Sequence, residues 1–358
     1  MTSGVQGALE IAVVPLDVVR GSVLRLATRS AAVTRVLARR DSRLALLATL
    51  QVAVLFALVV RAPVALFFLG PVVLGVVHLA ADARYLVLHR APPRLLVVLS
   101  AAIALAITLV RVAVARHVLR IATGDAVDVA LGVAWVGVAL GFALRTRSRI
   151  APLPVLVGGT LLFVASGTWL VLHAHLVGLV LVHAHNVVAV LVWLVLFRRQ
   201  RAWAVVPVTL IVGLTAVLLS GAYLPWTATH GGLAAFGARA ESLGTWLAPG
   251  LSPQAGLAVV MTFVFLQGVH YAAWTGWIAQ DDLRGEGTPT FRQTVRSLVA
   301  DFGPRTFALI AVAACALAAF ALHDMRAALS WYMTLAKSHA WFELAFFAYL
   351  LSRRTESA

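Results

Sequence analysis

Cysteine is almost absent from this sequence, in which Cys315 is the single copy. A disulfide framework and a cysteine metal cluster both require several cysteines in one chain. Both are therefore excluded within this chain. Any metal or cofactor must be held by other side chains.

Charged residues are also scarce, at 12% of the 358 residues, whereas hydrophobic residues make up 61%. A soluble domain has about a quarter charged and about half apolar residues, so this composition excludes a water-soluble globule. The apolar residues form repeated runs of about twenty, which is the length an α-helix needs to cross a bilayer. We therefore expect an all-α, polytopic transmembrane helix bundle.

The charge that is present is mostly arginine, which gives a net charge of +15. The arginines cluster between the apolar runs, and no nucleic-acid recognition motif accompanies them, so we expect no nucleic-acid partner. A bilayer with anionic headgroups is the partner that this pattern favours.

We divide the chain into a basic amphipathic arm on the membrane surface (1–43), a transmembrane bundle (44–352) and a cytoplasmic tail (353–358). A tight turn is expected near Gly178, because residues 150–197 carry no charge and are too long for one span. The expected spans are 44–61, 63–87, 94–116, 126–144, 151–172, 177–197, 202–223, 255–278, 305–323 and 327–352.

The positive-inside rule gives the orientation of these ten spans. With the N-terminus in the cytoplasm, 22 arginines fall inside and five outside. This predicts a multi-pass protein of the inner cell membrane with both termini in the cytoplasm.

Ionisable residues inside membrane spans are costly and therefore mark functional or paired positions. In the second span, His78, Asp82 and Tyr85 follow i, i+4, i+7 and share one helical face. A histidine and a carboxylate one turn apart either bind a metal together, or the carboxylate orients a ligating histidine. The other reading is that Asp82 pairs with an arginine and His78 bonds a carbonyl.

The tenth span repeats this spacing with His339 and Glu343. A carboxylate this deep in a membrane requires a proton, a metal ion or a cationic partner. Tyr332 lies two turns earlier on the same predicted face. Lys337, the single lysine, lies roughly on the opposite face from His339.

The eighth span carries Gln267, His270, Tyr271 and Trp274 at i, i+3, i+4, i+7. This stripe is typical either of ordinary packing or of a cavity wall. We take His270 as a ligand candidate and the other three as candidates for lining a substrate pocket, together with Tyr85.

The sixth span contains His183, His185 and Asn186. His183 and His185 lie on nearly opposite faces, so one of them is expected to face a central site and the other a neighbouring helix. Both are retained as ligand candidates, and Asn186 as a pocket candidate.

Imidazole and carboxylate ligands without thiolate suit iron, zinc, manganese or copper, and we favour one or two iron ions. The leading hypothesis is a non-haem iron oxygenase or desaturase-like enzyme with an apolar substrate such as a lipid, which would also require O2 and an electron donor. Two alternatives use the same histidines. One is a haem-binding electron-transfer protein, and the other is a proton or metal-ion transporter.

Two segments resemble a known family. Gly75-Val-Val-His78-Leu-Ala-Ala-Asp82 resembles the Gly-x-x-His-x-x-x-Asp signature of the Brp/Blh family of bacterial membrane β-carotene-cleaving oxygenases, and the segment from Phe265 to Tyr271 is loosely similar to its late histidine-bearing helix. The resemblance implies an iron centre held by histidines and an apolar tunnel for a carotenoid. The chain departs from the family pattern in lacking a His-Phe-Gly motif and paired histidines on the late helix.

Overall fold

The computed structural model describes residues 2–145, 153–283 and 287–354. Within these ranges the side chains of 2–5, 153–162 and 354 are not described. The described chain is almost entirely helical, which confirms the all-α prediction.

The helices are numbered in chain order. They are α1 Thr2–Ala12, α2 Val14–Ala27, α3 Ala31–Ala38, α4 Arg40–Arg61, α5 Pro63–Asp82, α6 Arg94–Ala115, α7 Ile121–Arg145, α8 Leu153–Leu172, α9 Ala174–Val192, α10 Val205–Ser220, α11 Leu224–Thr229, α12 Ala240–Leu247, α13 Pro253–Ala272, α14 Ile278–Asp281, α15 Phe291–Phe302, α16 Pro304–His323, α17 Met325–Leu335 and α18 His339–Arg354.

Three π-helical turns and a short 3-10 turn extend these helices. The π turns are Ala83–Leu88, Trp193–Phe197 and Ala273–Trp277, and the 3-10 turn is Arg201–Ala204. A two-residue antiparallel pair, β1 Ala234–Ala235 and β2 Ala238–Arg239, lies in the long loop before α12.

Eight helices of the described chain are long and apolar enough to cross a membrane. This supports a multi-pass membrane protein. Each of the eight overlaps one of the ten expected spans, and they are Arg40–Arg61, Pro63–Leu88, Arg94–Ala115, Ile121–Arg145, Ala174–Phe197, Arg201–Ser220, Pro253–Asp281 and Pro304–His323.

The fifth expected span, 151–172, corresponds to α8, although residues 151–152 lie outside the described residues. In α8 the part with described side chains, Phe163–Leu172, is a shorter apolar helix. The expected turn near Gly178 is wrong, because Gly178 lies within α9 and the break is at His173. There the His173 ring bonds the Trp169 carbonyl through Nδ1 and stacks on the Trp169 indole.

The expectation of one helix over 327–352 is also wrong. Helix α17 ends at Leu335 and α18 begins at His339, so Tyr332 and His339 are not on one continuous helix. The break contains Lys337.

The predicted N-terminal arm is three helices, α1, α2 and α3, and not one continuous helix. Pro15 lies in the first turn of α2 and prevents α1 from continuing, because proline lacks the N–H that a helix interior requires. The arm packs on α15. Glu10 accepts from Arg296 at 2.7 Å, and Asp17 accepts from the backbone N–H of Phe291 at 2.7 Å.

By contacts between residues the chain divides into two compact units. Unit 1 comprises Met1–Leu88 and Phe197–Met325, and unit 2 comprises His89–Leu196 and Arg326–Ala358. Each unit therefore joins distant parts of the sequence.

Unit 1 is built around α13, which packs on α4, α5, α10 and α12. At one end of this unit a buried ion network ties three segments together. The guanidinium of Arg198 donates to Asp281 at 3.0 Å and pairs with Asp41 at 3.1 Å. Such a network fixes the ends of helices that carry few other polar groups.

Unit 2 is built around α7, which packs on α6, α8, α9 and α18. Arg111 of α6 pairs with Asp125 at 2.8 Å and also binds Asp128, which is 2% exposed. Asp128 also accepts a hydrogen bond from the indole of Trp341 at 3.1 Å. The indole lies directly over Gly132, where a Cβ would overlap the ring.

We expect Gly132→Ala to destabilise unit 2, because the new methyl group overlaps the Trp341 indole and overpacking costs about 1–3 kcal/mol. Gly141→Ala on the same helix is the matched control, since a Cβ there meets nothing within 4 Å. Thermal unfolding of the detergent-purified variants measures the difference. Equal melting temperatures for the two variants would contradict this packing.

The arm contact should depend on pH. The hydrogen bond from Arg296, with a smaller one from Gln6, lowers the pKa of Glu10 to about 2 from its ordinary 4.5. A lowered pKa in the folded state means that the contact is fully present above about pH 4.5 and is lost as the pH falls toward 2. Spin labels on α1 and α15 should therefore show a distance distribution that broadens in this range.

Glu10→Gln is the control for this experiment, because it keeps the size of the side chain and removes the charge. Its distance distribution should be broad already at pH 7 and insensitive to acid. A wild-type distribution that stays narrow down to pH 2 would show that Glu10 does not hold α1.

Candidate metal centre

Two histidines from separate helices meet inside unit 1. His78 on α5 and His270 on α13 are both fully buried, and their helices pack against each other. The ring centroids lie 5.4 Å apart and the rings are nearly perpendicular, at 77°. Each ring offers a nitrogen within 4.8 Å of one on the other ring.

This separation suits two imidazoles bound to adjacent positions of one ion. A nitrogen about 2.1 Å from a metal puts the ring centroid about 3.2 Å from it, so adjacent imidazoles have centroids roughly 4.5–5.5 Å apart. Imidazoles on opposite sides of an ion have centroids roughly 6.4 Å apart by the same geometry. The observed 5.4 Å falls in the first range.

Asp82 supplies a buried carboxylate on the helix that carries His78. It is the last residue of α5, one turn after His78, and it is 1% exposed. A carboxylate at this position either binds the ion or fixes the tautomer of the ligating histidine. Two histidines and one carboxylate are the donor set of non-haem iron oxygenases.

Tyr271 and Gln267 lie beside the histidine pair. The Tyr271 ring is 4.7 Å from the His78 ring and 5.8 Å from the His270 ring, centroid to centroid. Gly70 on α5 makes room for them, since a Cβ there would lie 3.3 Å from the Tyr271 ring and 3.9 Å from Gln267 Oε1. Both side chains are buried, as expected of a cavity wall or of tight packing.

Trp274 follows His270 by one turn and is fully buried. In the part of the chain that the structure describes, its indole N–H has no hydrogen-bond acceptor. A buried donor left unmatched costs about 1–3 kcal/mol. This N–H is therefore available to a bound molecule that carries an acceptor.

Tyr85 is held differently from the sequence expectation. It lies in the π turn Ala83–Leu88, which has more residues per turn than an α-helix. Tyr85 therefore does not take the direction around the helix that the α-helical i+7 spacing from His78 predicts. Its hydroxyl is bound by Arg84 at 3.2 Å, and its ring packs on Phe197 at 6.2 Å. Arg84 in turn donates to Asp301 of α15 at 2.7 Å.

Both histidine-bearing helices of unit 1 change to π geometry just beyond their polar residues. The change follows Asp82 directly in α5, and in α13 it begins at Ala273, after Tyr271. The second π turn is fixed by Trp277, which donates to Gln51 at 2.7 Å. Single π turns inside helices are frequent at functional sites, because they redirect side chains.

Unit 2 contains a second histidine pair. His185 on α9 and His339 at the start of α18 have ring centroids 5.1 Å apart. Glu343, one turn after His339, is fully buried. Asn186 is also buried and donates to the Val182 carbonyl at 3.3 Å, while its Oδ1 accepts no hydrogen bond from the described residues.

Of the two candidate ligands on α9, His183 and His185, it is His185 whose ring contact with His339 is observed. His183 is half-buried on the same helix. His185 is therefore the histidine that faces α18. His183 points in a nearly opposite direction from the same helix.

The sequence reasoning missed the partners of Arg111. Asp125 and Asp128 are the carboxylates that bind it, and Trp341 joins them through Asp128. A signal was present, because an arginine in an apolar span requires an acid, and these two lie near the start of the next span. Gly70, which makes room for Tyr271, carried no comparable signal.

No protein-family model, curated protein or solved structure matches the chain. The resemblance to the Brp/Blh family therefore stays a prediction that rests on two short segments. Function has to be argued from the chemistry of the residues themselves.

Proposed function

We propose that the chain is a membrane-embedded non-haem iron enzyme, of the oxygenase or desaturase-like type, that acts on an apolar substrate. His78 and His270 bind the ion, and Asp82 binds it or orients His78. The observation that carries the proposal is the fully buried histidine pair with ring centroids 5.4 Å apart.

The donor set supports iron. Imidazole and carboxylate ligands without thiolate suit non-haem iron, and two histidines with one carboxylate leave coordination positions open. Cys315, the single cysteine, is exposed on α16 and has no part in this set. When bound, such an ion would supply oxygen activation, with O2 and an electron donor as partners.

The surroundings favour an apolar substrate. The histidine pair lies between helices made almost wholly of apolar residues, and α13 is the most deeply buried of the eight long apolar helices. Gln267, Tyr271 and Trp274 bring a few polar atoms to this region, a pattern typical of pockets that orient an apolar ligand. A lipid or a carotenoid fits this description.

Haem is the less favoured cofactor for this pair. A haem held by two axial histidines needs the rings on opposite faces of the macrocycle, which separates their centroids by about 6.4 Å. The 5.4 Å separation of the two histidine rings is shorter than this. The Tyr271 ring also lies close to the His78 ring, at 4.7 Å from centroid to centroid. A transporter that uses the same histidines is the other alternative.

We also propose the finer topology, with ten spans, both termini in the cytoplasm and location in the inner membrane. The arm helices would lie on the anionic surface of this membrane. Their exposed apolar side chains support this, since an amphipathic helix buries such a face at the headgroup boundary. These side chains are Ile11, Leu16, Val18, Val19, Val23 and Leu26.

Metal analysis of the purified full chain tests the proposed ion. His78→Ala and His270→Ala should each lose the iron bound at this site, because each removes one of two imidazole ligands. Asp82→Asn should weaken iron binding by about 10–100-fold, as expected for a residue that supports a ligand. His230→Ala is the matched control in unit 1, since His230 is exposed and stacks on Trp226.

Iron at the wild-type level in both histidine variants would overturn the assignment. A sharp Soret band in the wild-type protein, lost in the same variants, would favour haem instead. Metal flux into proteoliposomes, without oxidation of a lipid or carotenoid, would favour a transporter.

A further inference from the structure

We propose that residues 221–252 form a membrane-anchoring cap, which inserts exposed aromatic side chains into the headgroup boundary of the lipid bilayer. This segment, called the cap below, contains α11, the pair β1–β2 and α12, and it belongs to unit 1. The inference goes beyond the proposed function, because it holds whether or not unit 1 binds an ion.

The cap lies at the ends of four helices of membrane-spanning length. It begins where α10 ends and it ends where α13 begins. The Thr227 hydroxyl donates to the Val60 carbonyl in the last turn of α4, at 2.8 Å. A Cβ at Gly232 would overlap the carbonyl oxygen of Arg61 and lie 3.2 Å from Pro63, the first residue of α5. Helices that cross a bilayer end near its headgroups, so the cap lies at this boundary.

Two exposed rings of the cap join the core of unit 1 through buried rings. Trp246 of α12 is 52% exposed, and its ring lies 6.3 Å from that of Phe67, centroid to centroid. Phe236, between β1 and β2, is 42% exposed and lies 5.7 Å from Phe68. Phe67 and Phe68 are buried on α5 and contact each other at 5.5 Å. The four rings therefore form one cluster, whose two exposed members belong to the cap.

Helix α12 has a protein-facing side with two different edges. The buried side consists of Ala240, Gly244 and Leu247. Gly244 meets the backbone of Gly256, so this side packs on α13. Glu241 and Trp246 point about 140° apart at about 100° per residue, on opposite edges of the buried side. Glu241 pairs with Arg239 at 3.4 Å, so one edge is charged and the other is aromatic. Helices that lie along a membrane surface divide charged and aromatic residues in this way.

The backbone of Phe236 is strained. Phe236 and Gly237 join the two strands with φ of 51° and 70°, so both residues lie in the left-handed region. Two-residue hairpin turns of this kind favour asparagine, aspartate or glycine, because positive φ is unfavourable for a bulky side chain. The protein buries the Phe236 ring only in part. Insertion of the ring into lipid supplies further apolar burial that offsets the strain.

Lipid is the occupant that the surface of unit 1 favours. Helix α10 is apolar and largely exposed over its whole length, and Leu219 in its last turn is still exposed. The exposed apolar surface continues from there into the cap, with Trp226, Phe236, Trp246 and Leu251. A helix of membrane-spanning length requires lipid on such a surface, and the cap follows it directly along the chain. Aromatic side chains are enriched at the boundary between lipid and water.

Spin labels test which solvent each position of the cap meets. The full chain carries Cys315→Ala, which removes its single cysteine, and one of two new cysteines, Phe236→Cys or Trp246→Cys. Arg239→Cys and Glu241→Cys are the matched controls, because both side chains are exposed and charged. Each labelled chain is reconstituted into vesicles of phosphatidylcholine and phosphatidylglycerol. Collisions with O2, which concentrates in lipid, are compared with collisions with a water-soluble nickel complex.

We expect the ratio of O2 to nickel collisions to be several-fold higher at positions 236 and 246 than at 239 and 241. Equal ratios at all four positions would place the cap in water and overturn the proposal. Few collisions with both reagents at 236 and 246 would place these side chains against protein and would also overturn it. Distances between labels on different chains would then show whether that protein is a second copy.

Phe236→Asn separates anchoring from folding. Asparagine adopts positive φ more readily than phenylalanine, so the hairpin should form and the melting temperature in detergent should not fall. In vesicles, a label at position 246 should lose part of its O2 preference, because one of the two anchoring rings is gone. Phe236→Leu is the control, since it keeps an apolar side chain and should keep the O2 preference. An unchanged ratio in Phe236→Asn would overturn anchoring by Phe236.

Discussion

Polar side chains buried among apolar helices need partners close by, because neither lipid nor apolar side chains can replace the water they have lost. This constraint shapes both units. Charged residues meet it through ion pairs, as Arg198 does with Asp281 and Arg111 does with Asp128. Four histidines also lie in two pairs with nearly equal ring separations. We propose that a metal ion takes up a lone pair from each ring of the unit 1 pair.

The fold was predictable where hydropathy alone decides it. The apolar runs located eight helices of membrane-spanning length, because burial of about twenty apolar residues leaves few alternatives. The prediction failed at the tenth run, where α17 and α18 separate around Lys337. Composition shows that a segment is apolar, but it does not show where a helix within that segment is interrupted. Likewise Gly178 was a plausible turn by propensity, and yet the helix continues through it.

For the candidate sites, the sequence predicted which residues share a face of one helix, but not which neighbouring helix that face contacts. The 3.6-residue period predicted that His78 and Asp82 share a helix face and that His183 and His185 do not. It could not tell that His78 would meet His270 or that His185 would meet His339, since a face does not identify its neighbour. It also failed beyond Asp82, because the π turn that holds Tyr85 changes the period. Pairing across helices is tertiary information that one sequence does not carry.

The central claim is that buried imidazoles share a metal ion, and X-ray absorption at the iron edge of the purified, reloaded protein tests it most directly. The account predicts a first shell of nitrogen and oxygen at about 2.0–2.2 Å, with the outer-shell scattering that two imidazole rings per iron produce. A shell containing sulfur, a porphyrin pattern, or iron surrounded only by water oxygens would contradict it.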